Sequence, residues 1–342
     1  MSGNITKATA NIQNLKTIIY EGKWRNASRF KKKSDLLKKT CLIINPDLLS
    51  KELIKKKTFN RKFSYNFWSG LIDAKLIKYL QKNKYDYIAI DKWVSNKDLN
   101  IFLNLVSFHG INSKVLNIIQ FYEQAIGATP VIYNTELEES DIFSFIEKPS
   151  SFILFAKRII DVSSVIISLP VVIPVVIFAS LFTKLTSKGP AIFKQTRVGV
   201  NGEIFTLYKI RTMIHSDSNN QSHTVKDDVR ITKLGKFFRK TKIDELPQLW
   251  NVLKGDMSLI GPRPERDEIV EKCCTENQFY KLRHIVKPGI TGWAQVNNPT
   301  ATPNENLEKL EYDLYYINNL SWKLELKIML QTVGVVSTMD SL

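Results

Sequence analysis

Val162-Ser-Ser-Val-Ile-Ile-Ser-Leu-Pro170-Val-Val-Ile-Pro174-Val-Val-Ile-Phe-Ala-Ser-Leu-Phe-Thr183 spans 22 residues without a charge. A run of that length normally marks a helix that enters a bilayer. Buried helices of soluble proteins seldom stay apolar on every face for so long. Pro170 and Pro174 each remove a helical hydrogen bond, so a break or kink is expected there. Lys157 and Arg158 precede the run, and Lys184 and Lys188 follow it. Cations on both flanks predict that both ends face the cytoplasm. The halves on either side of Pro174 supply roughly 12 helical residues each, or ~18 Å at ~1.5 Å per residue. That reaches about halfway into a ~30 Å hydrocarbon core and back. The reading is a re-entrant membrane helix over 152–188 rather than a straight span.

The remainder of the 342 residues has globular composition, 44% hydrophobic and 24% charged, and is long enough for two domains. Cys41, Cys273 and Cys274 are the only cysteines. They form neither a disulfide framework nor a Cys-x-x-Cys metal site, which fits a reducing, cytoplasmic compartment. The 49 Lys and Arg against 33 Asp and Glu give +16. Such a surface favours phosphates, whether on nucleic acid, anionic lipid or a small molecule. Half of that excess sits at the start, where ten Lys and Arg of residues 1–40 face only Glu21 and Asp35. Residues 1–36 read as a basic tail with no apolar core near Met1, unlike a secretory signal peptide. Its cations, interleaved with Trp24 and Phe30, can lie on an anionic membrane, bind RNA or stay solvated.

Residues 37–148 alternate short apolar runs with helical patterns. Strands are expected at Cys41–Asn45, Tyr87–Ile90, Ser113–Ile118 and Pro130–Tyr133, with helices over Leu48–Lys57 and Asn100–Phe108. Strands spaced by helices predict a small parallel α/β layer. Asn45-Pro-Asp47 follows the first strand where a dinucleotide fold would carry glycines, so the reading is a degenerate Rossmann-like domain without bound cofactor. Acidic Glu136–Asp141 and Pro149-Ser-Ser151 form the expected linker to a catalytic domain over 152–342.

Beyond Leu185 the sequence is dense in polar motifs. Ile192–Val198 and Ile204–Tyr208 read as a hairpin around Asn201-Gly202. A polar loop is expected over residues 214–228. Leu246, Leu249, Trp250 and Leu253 have the i, i+3, i+4, i+7 spacing of an amphipathic helix. Pro247 suits its first turn and Gly255 its stop. Asp244 and Glu245 then sit at a helix N-terminus, where the dipole is expected to keep both ionised. Asp244 can simply cap that helix. The pair, with Arg239, Lys240 and Lys242 just upstream, can instead hold Mg²⁺ and present an oxygen to phosphorus. Pro262 and Pro264 restrict Arg263, as presetting a phosphate-binding guanidinium requires, although an ordinary turn has the same sequence. Trp293 can pack on a base or on the core, and the core is the commoner place for a Trp. His109, His215, His223 and His284 are scattered and belong to no site. Tyr312–Leu330 alternates aromatic, apolar and basic residues, as either an interfacial or a core helix does.

Seven segments in order resemble the bacterial sugar transferases known as monotopic polyprenyl-phosphate phosphoglycosyl transferases. They are Lys157-Arg-Ile-Ile-Asp161, Ser187-Lys-Gly-Pro190, Phe193-Lys-Gln-Thr-Arg-Val-Gly199, Tyr208-Lys-Ile-Arg-Thr-Met213, Ile243–Ser258, Gly261-Pro-Arg-Pro264 and Pro288–Asn297. The resemblance covers roughly 152–336. It implies a mainly helical catalytic domain whose broken re-entrant helix enters the cytoplasmic leaflet of the bacterial inner membrane. It implies transfer of a sugar 1-phosphate from a UDP-sugar to a polyprenyl phosphate, with Mg²⁺ as cofactor and no nucleic acid partner. By motif position, Asp244 is the nucleophile, and Glu245 helps hold the metal or activates the lipid phosphate. Arg211, Arg239 and Arg263 bind phosphate, with Gln295 and Asp313 near the site. The glycan begun in this way is an exopolysaccharide, O-antigen, capsule or glycoprotein glycan. Downstream glycosyltransferases and a second copy of the chain are further candidate partners.

The chain departs from the family pattern at Ile173, where some relatives place Ser before the helix-breaking proline, and in its additional Pro170. It departs again at Asn298–Pro303, where many relatives continue Gly-Arg. Larger relatives place membrane spans before the Rossmann-like domain, which is expected here without them. A catalytically inactive membrane scaffold is the alternative, opposed by the intact Asp244-Glu245 pair.

Overall fold

The computed structural model describes residues 38–91, 96–131, 146, 148–214, 228–299 and 305–338. The basic tail, Tyr133, Glu136–Asp141, most of the 214–228 loop with His215 and His223, and 300–303 lie outside the described residues.

Four parallel strands form the N-terminal layer: β1 (Lys39–Ile44), β2 (Phe63–Trp68), β3 (Tyr87–Ile90) and β4 (Lys114–Asn117), in the order β2-β1-β3-β4. Central β1 is buried from Cys41 to Ile44 and β3 throughout, the continuous apolar pattern of strands covered on both faces. Alternate residues feed opposite cores. Cys41, Ile43 and Ala89 meet Phe59, Phe121 and Tyr122, while Leu42, Ile44, Ile88 and Ile90 meet Leu76, Leu80 and Phe102. The covering helices are α1 (Leu48–Lys55), α2 (Lys57–Lys62), α3 (Ala74–Lys82), α4 (Asn96–Phe108) and α5 (Ile118–Ile126). Asp47, Asp73 and Asn117 cap α1, α3 and α5 by accepting backbone N–H bonds.

Several expectations need correction. The helix expected over Leu48–Lys57 ends at Lys55, and the chain continues into α2. Edge strand β2 is not among the expected strands, although its Phe-Ser-Tyr-Asn-Phe-Trp alternation is the period-2 pattern of a one-sided strand; only Phe63 of it is buried. Pro130 and Val131 lie outside any strand, and Val131 packs into the core of the C-terminal half.

Helix α6 (Ser151–Thr186) contains the uncharged run. It remains helical through Pro170 and Pro174, where a break or kink is expected, and the helix is not broken there. One stripe, Asp161, Val165, Ala179 and Thr183, is buried, while Ile167, Val171 and Phe178 are among many large apolar residues left exposed. Near its start, Lys157 pairs with Glu325 at 2.5 Å, Arg158 donates to the carbonyls of Val252 and Leu253, and Asp161 accepts from Ser258 at 2.7 Å. Its far end meets Ile210 and Phe238 through Ala179.

The hairpin β5 (Ile192–Val198)–β6 (Ile204–Ile210) is antiparallel and turns through Asn201 and Gly202, both at positive φ. Then follow α7 (Lys233–Thr241), a 3₁₀ turn (Ile243–Glu245), α8 (Gln248–Lys254) and β7 (Ser258–Ile260). Next come α9 (Asp267–Glu276), a 3₁₀ stretch (Gln278–Ile285), β8 (Gly289–Thr291), α10 (Trp293–Asn297), α11 (Asn306–Asn318) and α12 (Trp322–Thr338). β7 pairs with β8 and joins the Gly-Pro-Arg-Pro and Pro-Gly-Ile-Thr-Gly motifs. A Cβ at Gly289 would lie 2.1 Å from the Gly261 nitrogen, so this crossing excludes a side chain. The single C-terminal helix expected over Tyr312–Leu330 is two. α11 is largely buried, whereas α12 exposes Leu326, Leu330 and Val333.

Candidate active site

Lys242 takes the left-handed conformation (φ 59) at the end of α7 and turns the chain sharply into the Ile243–Glu245 turn. This places Asp244 and Glu245 side by side ahead of α8. The capping reading of Asp244 is not what the fold uses: α8 begins after Pro247 without any side-chain cap. Asp244 is instead buried, 7% exposed, and its Oδ1 has no hydrogen-bond partner. Glu245 Oε1 accepts from Lys209 Nζ and from Arg263 Nη2, each at 2.9 Å.

The two neighbouring carboxyls are electrostatically unlike. Burial, then the Glu245 charge, push Asp244 above the usual aspartate range, against the pull of Lys209, Lys242 and Arg239. Burial also acts on Glu245, but Lys209, Arg263 and Lys242 more than offset it and hold this carboxyl far below the usual glutamate range. The helix dipole is expected to keep both ionised at neutral pH; folding shifts the two in opposite directions, Asp244 upward and Glu245 downward. A 3₁₀ turn precedes the helix, and at Asp244 desolvation outweighs the dipole.

Arg239, at the end of α7, donates from Nε to Thr212 Oγ1 at 2.8 Å, and its charge acts on Asp244. Arg263 is on Glu245, as described. Arg211 is taken up elsewhere: its guanidinium donates to the Lys188 carbonyl at 2.7 Å and to Ser187, closing the end of α6. Gln295 in α10 donates to the Ile290 carbonyl at 2.9 Å, and its buried Oε1 has no partner. Asp313 forms a buried two-bond pair with Arg283, at 3.0 and 2.7 Å. Arg283 also donates to the Arg263 carbonyl at 2.9 Å. Trp293 is buried, as expected, and stacks on Tyr315.

Sequence reasoning missed Lys209, Arg283 and Gln248. Lys209 follows Tyr208 in a strand, where alternation alone does not mark a functional cation. Its pKa is lowered by burial, against the pull of Glu245. Gln248 lies one helical turn after Asp244, is 1% exposed, and has a buried Nε2 without a partner. The α8 face also differs from the one its apolar spacing predicts. Gln248, Asn251 and Val252 are buried while Trp250 is 60% exposed. Asn251 fills an interior position because β6 satisfies it: it donates to the Thr206 carbonyl and accepts from Tyr208 N–H.

Among the described residues no group of three or more His, Cys, Asp or Glu side chains converges to hold a metal ion. A hard divalent cation nevertheless fits beside Asp244. Mg²⁺ commonly takes one or two carboxylates and completes its shell with substrate phosphate and water oxygens. Asp244 offers an unpartnered buried oxygen, whereas Glu245 Oε1 is already claimed by two cations.

The family model for bacterial sugar transferases matches residues 152–339, and the chain belongs to that family. An Aeromonas hydrophila UDP-N-acetylgalactosamine-undecaprenyl-phosphate N-acetylgalactosaminephosphotransferase is 40% identical over 226 residues, 66% of this chain and 52% of that protein. A Klebsiella pneumoniae UDP-glucose:undecaprenyl-phosphate glucose-1-phosphate transferase is 38% identical, over 64% of this chain and 45% of its own length. A Streptococcus agalactiae galactosyl transferase, CpsE, is 35% identical over 87% of this chain and 71% of its own. The chain thus spans about half the length of the Aeromonas and Klebsiella relatives.

Proposed function

We propose that the chain transfers a sugar 1-phosphate from a UDP-sugar to a polyprenyl phosphate, such as undecaprenyl phosphate, in two displacements at Asp244. The observation that carries this reading is the unpartnered Asp244 Oδ1, buried next to a glutamate that already holds Lys209 and Arg263. In the first displacement, an Asp244 oxygen bonds to the sugar-bearing β-phosphorus. The bond to the bridging oxygen breaks, and UMP leaves with the electron pair. In the second, a lipid phosphate oxygen bonds to the same phosphorus and expels the carboxylate, which regenerates Asp244. Dividing the reaction suits substrates of opposite solubility, which need never share the site.

Glu245 keeps Lys209 and Arg263 oriented, so that both reach the donor diphosphate by charge-assisted hydrogen bonds. Arg239 adds positive charge beside Asp244. Asp244, with Glu245 beside it, would hold Mg²⁺, which would supply countercharge to the donor diphosphate. Arg211, Gln295 and Asp313 act around this centre, Arg211 by fixing the end of α6.

The enzyme works at the cytoplasmic face of the bacterial inner membrane, with the unbroken α6 lying along the body, its exposed apolar faces against the leaflet and both of its ends on the same side. Supporting this, Val165 and Ala179 both pack on β6 or its neighbours through one buried stripe, while the other faces expose apolar side chains. A helix crossing a ~30 Å hydrocarbon core would carry its far end away from that body. The chain divides into a Rossmann-like layer over 37–148, lacking a dinucleotide fingerprint, and a catalytic unit over 152–342. The product primes an exopolysaccharide, O-antigen, capsule or related glycan. UMP release by the purified chain, measured over a panel of UDP-sugars with undecaprenyl phosphate, tests the reading. Release with at least one donor is expected, and none with any donor would contradict it.

A further inference from the structure

Helix α11 lies between the N-terminal layer and the active-site half, and its two faces carry different charged residues. On one face Glu311 is buried against the N-terminal layer. Its Oε2 accepts from Lys56 Nζ at 3.1 Å and from Tyr122 Oη at 3.1 Å, and its carbonyl accepts from Thr129 N–H at 2.9 Å. Glu308, one turn earlier, also reaches Lys56, at 3.5 Å. Two residues beyond Glu311, and therefore on the opposite side of the helix, Asp313 grips Arg283. Arg283 in turn donates to the Arg263 carbonyl at 2.9 Å, and the Arg263 guanidinium reaches Glu245 at 2.9 Å.

We propose that Lys56 and Tyr122 of the N-terminal layer are positioning residues for Arg263, acting through Glu311, α11, Asp313 and Arg283. The proposal rests on reading Arg263 as a ligand of the donor diphosphate. Apart from the α11 backbone, each link is a short, directional bond; Tyr122, Glu311, Asp313 and Arg283 are buried, while Lys56 and Arg263 keep 28% and 40% of their side chains exposed. A charged group out of water keeps its geometry only while its partners hold it. Lys56 and Tyr122 fix Glu311, and so fix the angle at which α11 presents Asp313. Arg283 is 3% exposed and makes two bonds to Asp313, so it follows that helix rather than solvent. The Arg263 backbone, set between Pro262 and Pro264, has little freedom to compensate. The N-terminal layer would thereby set donor affinity without touching donor.

A second contact fastens the same junction: Trp293 Nε1 donates to the Gly127 carbonyl at 2.6 Å. Lys56 and Tyr122 can therefore be altered one at a time while the two halves stay docked.

The test uses the full chain with Lys56→Met, Lys56→Arg and Tyr122→Phe. Hydrogen exchange over residues 259–266 reads the Arg263 segment without reference to activity, and UMP-release kinetics read KM and kcat separately. Coupling through packed networks is commonly worth roughly two- to thirty-fold. Lys56→Met and Tyr122→Phe should therefore raise KM for the UDP-sugar within that range, with kcat changed less. Both should speed exchange at 259–266, and Lys56→Arg should restore both readouts. If Lys56→Met does not fold, Tyr122→Phe carries the comparison. Faster exchange confined to residues 118–126, with KM and 259–266 at wild-type values, would overturn the proposal. A wild-type chain that releases no UMP would instead refute the reading of the site, while the exchange result would still decide the coupling.

Discussion

The N-terminal layer and the active-site half bury different things. The layer encloses two apolar cores, one on each face of its sheet, and its fully described buried polar residues are few and uncharged, Ser50 and Thr129. The half beyond residue 151 buries Lys157, Asp161, Arg211, Asp244, Arg283, Glu311, Asp313 and Glu325. Burying charge costs free energy unless each group is paired. Most of these are paired: Lys157 with Glu325, Arg283 with Asp313, Asp161 with Ser258, Glu311 with Lys56. Among the buried carboxyls of the described residues Asp244 is the exception, with one oxygen unpartnered although cations act on it from a distance; Arg211, bonded to carbonyls, also leaves its Nε without a partner. The comparison teaches that buried charge in this protein is mostly framework. What marks chemistry is the one buried carboxyl, among the described residues, whose hydrogen bonding is left incomplete.

The strongest way to break that comparison is Asp244→Asn. Loss of the nucleophile should lower UMP release by at least about 10³-fold. The same change should raise stability. Because folding lifts the Asp244 pKa, the native state holds this proton more tightly than the unfolded chain does. Its contribution to stability therefore falls as pH rises above the ordinary aspartate value. The melting temperature of Asp244→Asn should exceed that of wild type at pH 7, with the gap closing toward pH 4. A neutral-pH melt below wild type would place Asp244 among the framework charges.

Glu245→Gln sharpens the contrast with its neighbour. Its pKa is lowered, so its stabilisation is present above the unfolded glutamate value and lost as pH falls through the folded one. The variant leaves Lys209 and Arg263 without their counter-charge. It should lose about 10²-fold in kcat/KM and also stability at neutral pH, the reverse of Asp244→Asn. Calorimetry beside steady-state kinetics reads both. Next in size is Ile167→Lys, on the exposed apolar side of α6, where 78% of the residue is accessible. A cation in lipid costs about 2.5–3.5 kcal/mol, so the variant should shift from the membrane fraction toward the soluble fraction on flotation. Smallest is Gly127→Ala. Gly127 has φ +78, and an added Cβ would lie 3.3 Å from the Trp293 ring. Destabilisation of about 1–2 kcal/mol is expected by chemical denaturation.

Much of this was legible in the sequence, for physical reasons that also explain what was not. β1 and β3 announced themselves because strands buried on both faces are uniformly apolar, whereas edge strand β2 carries no such run. The hairpin followed from Asn201-Gly202, whose positive φ values few other residues accept. The Asp244-Glu245 pair was visible as a pair, but its inequality was not. That inequality depends on Lys209 and Arg263, 36 and 18 residues away, converging on Glu245 alone. Arg211 was legible as a cation in a motif, yet its bonds go to the carbonyls ending α6. Asn251 shows the limit of periodicity: spacing finds apolar faces, and a polar residue held inside by β6 is invisible to it.

Intact-protein and peptide mass spectrometry of the chain incubated with UDP-sugar alone tests the central claim most directly. The account predicts a phosphosugar mass added at Asp244, absent from Asp244→Asn and discharged when polyprenyl phosphate is supplied. Normal transfer to lipid with no adduct at Asp244, under conditions that trap acyl phosphates, would contradict it.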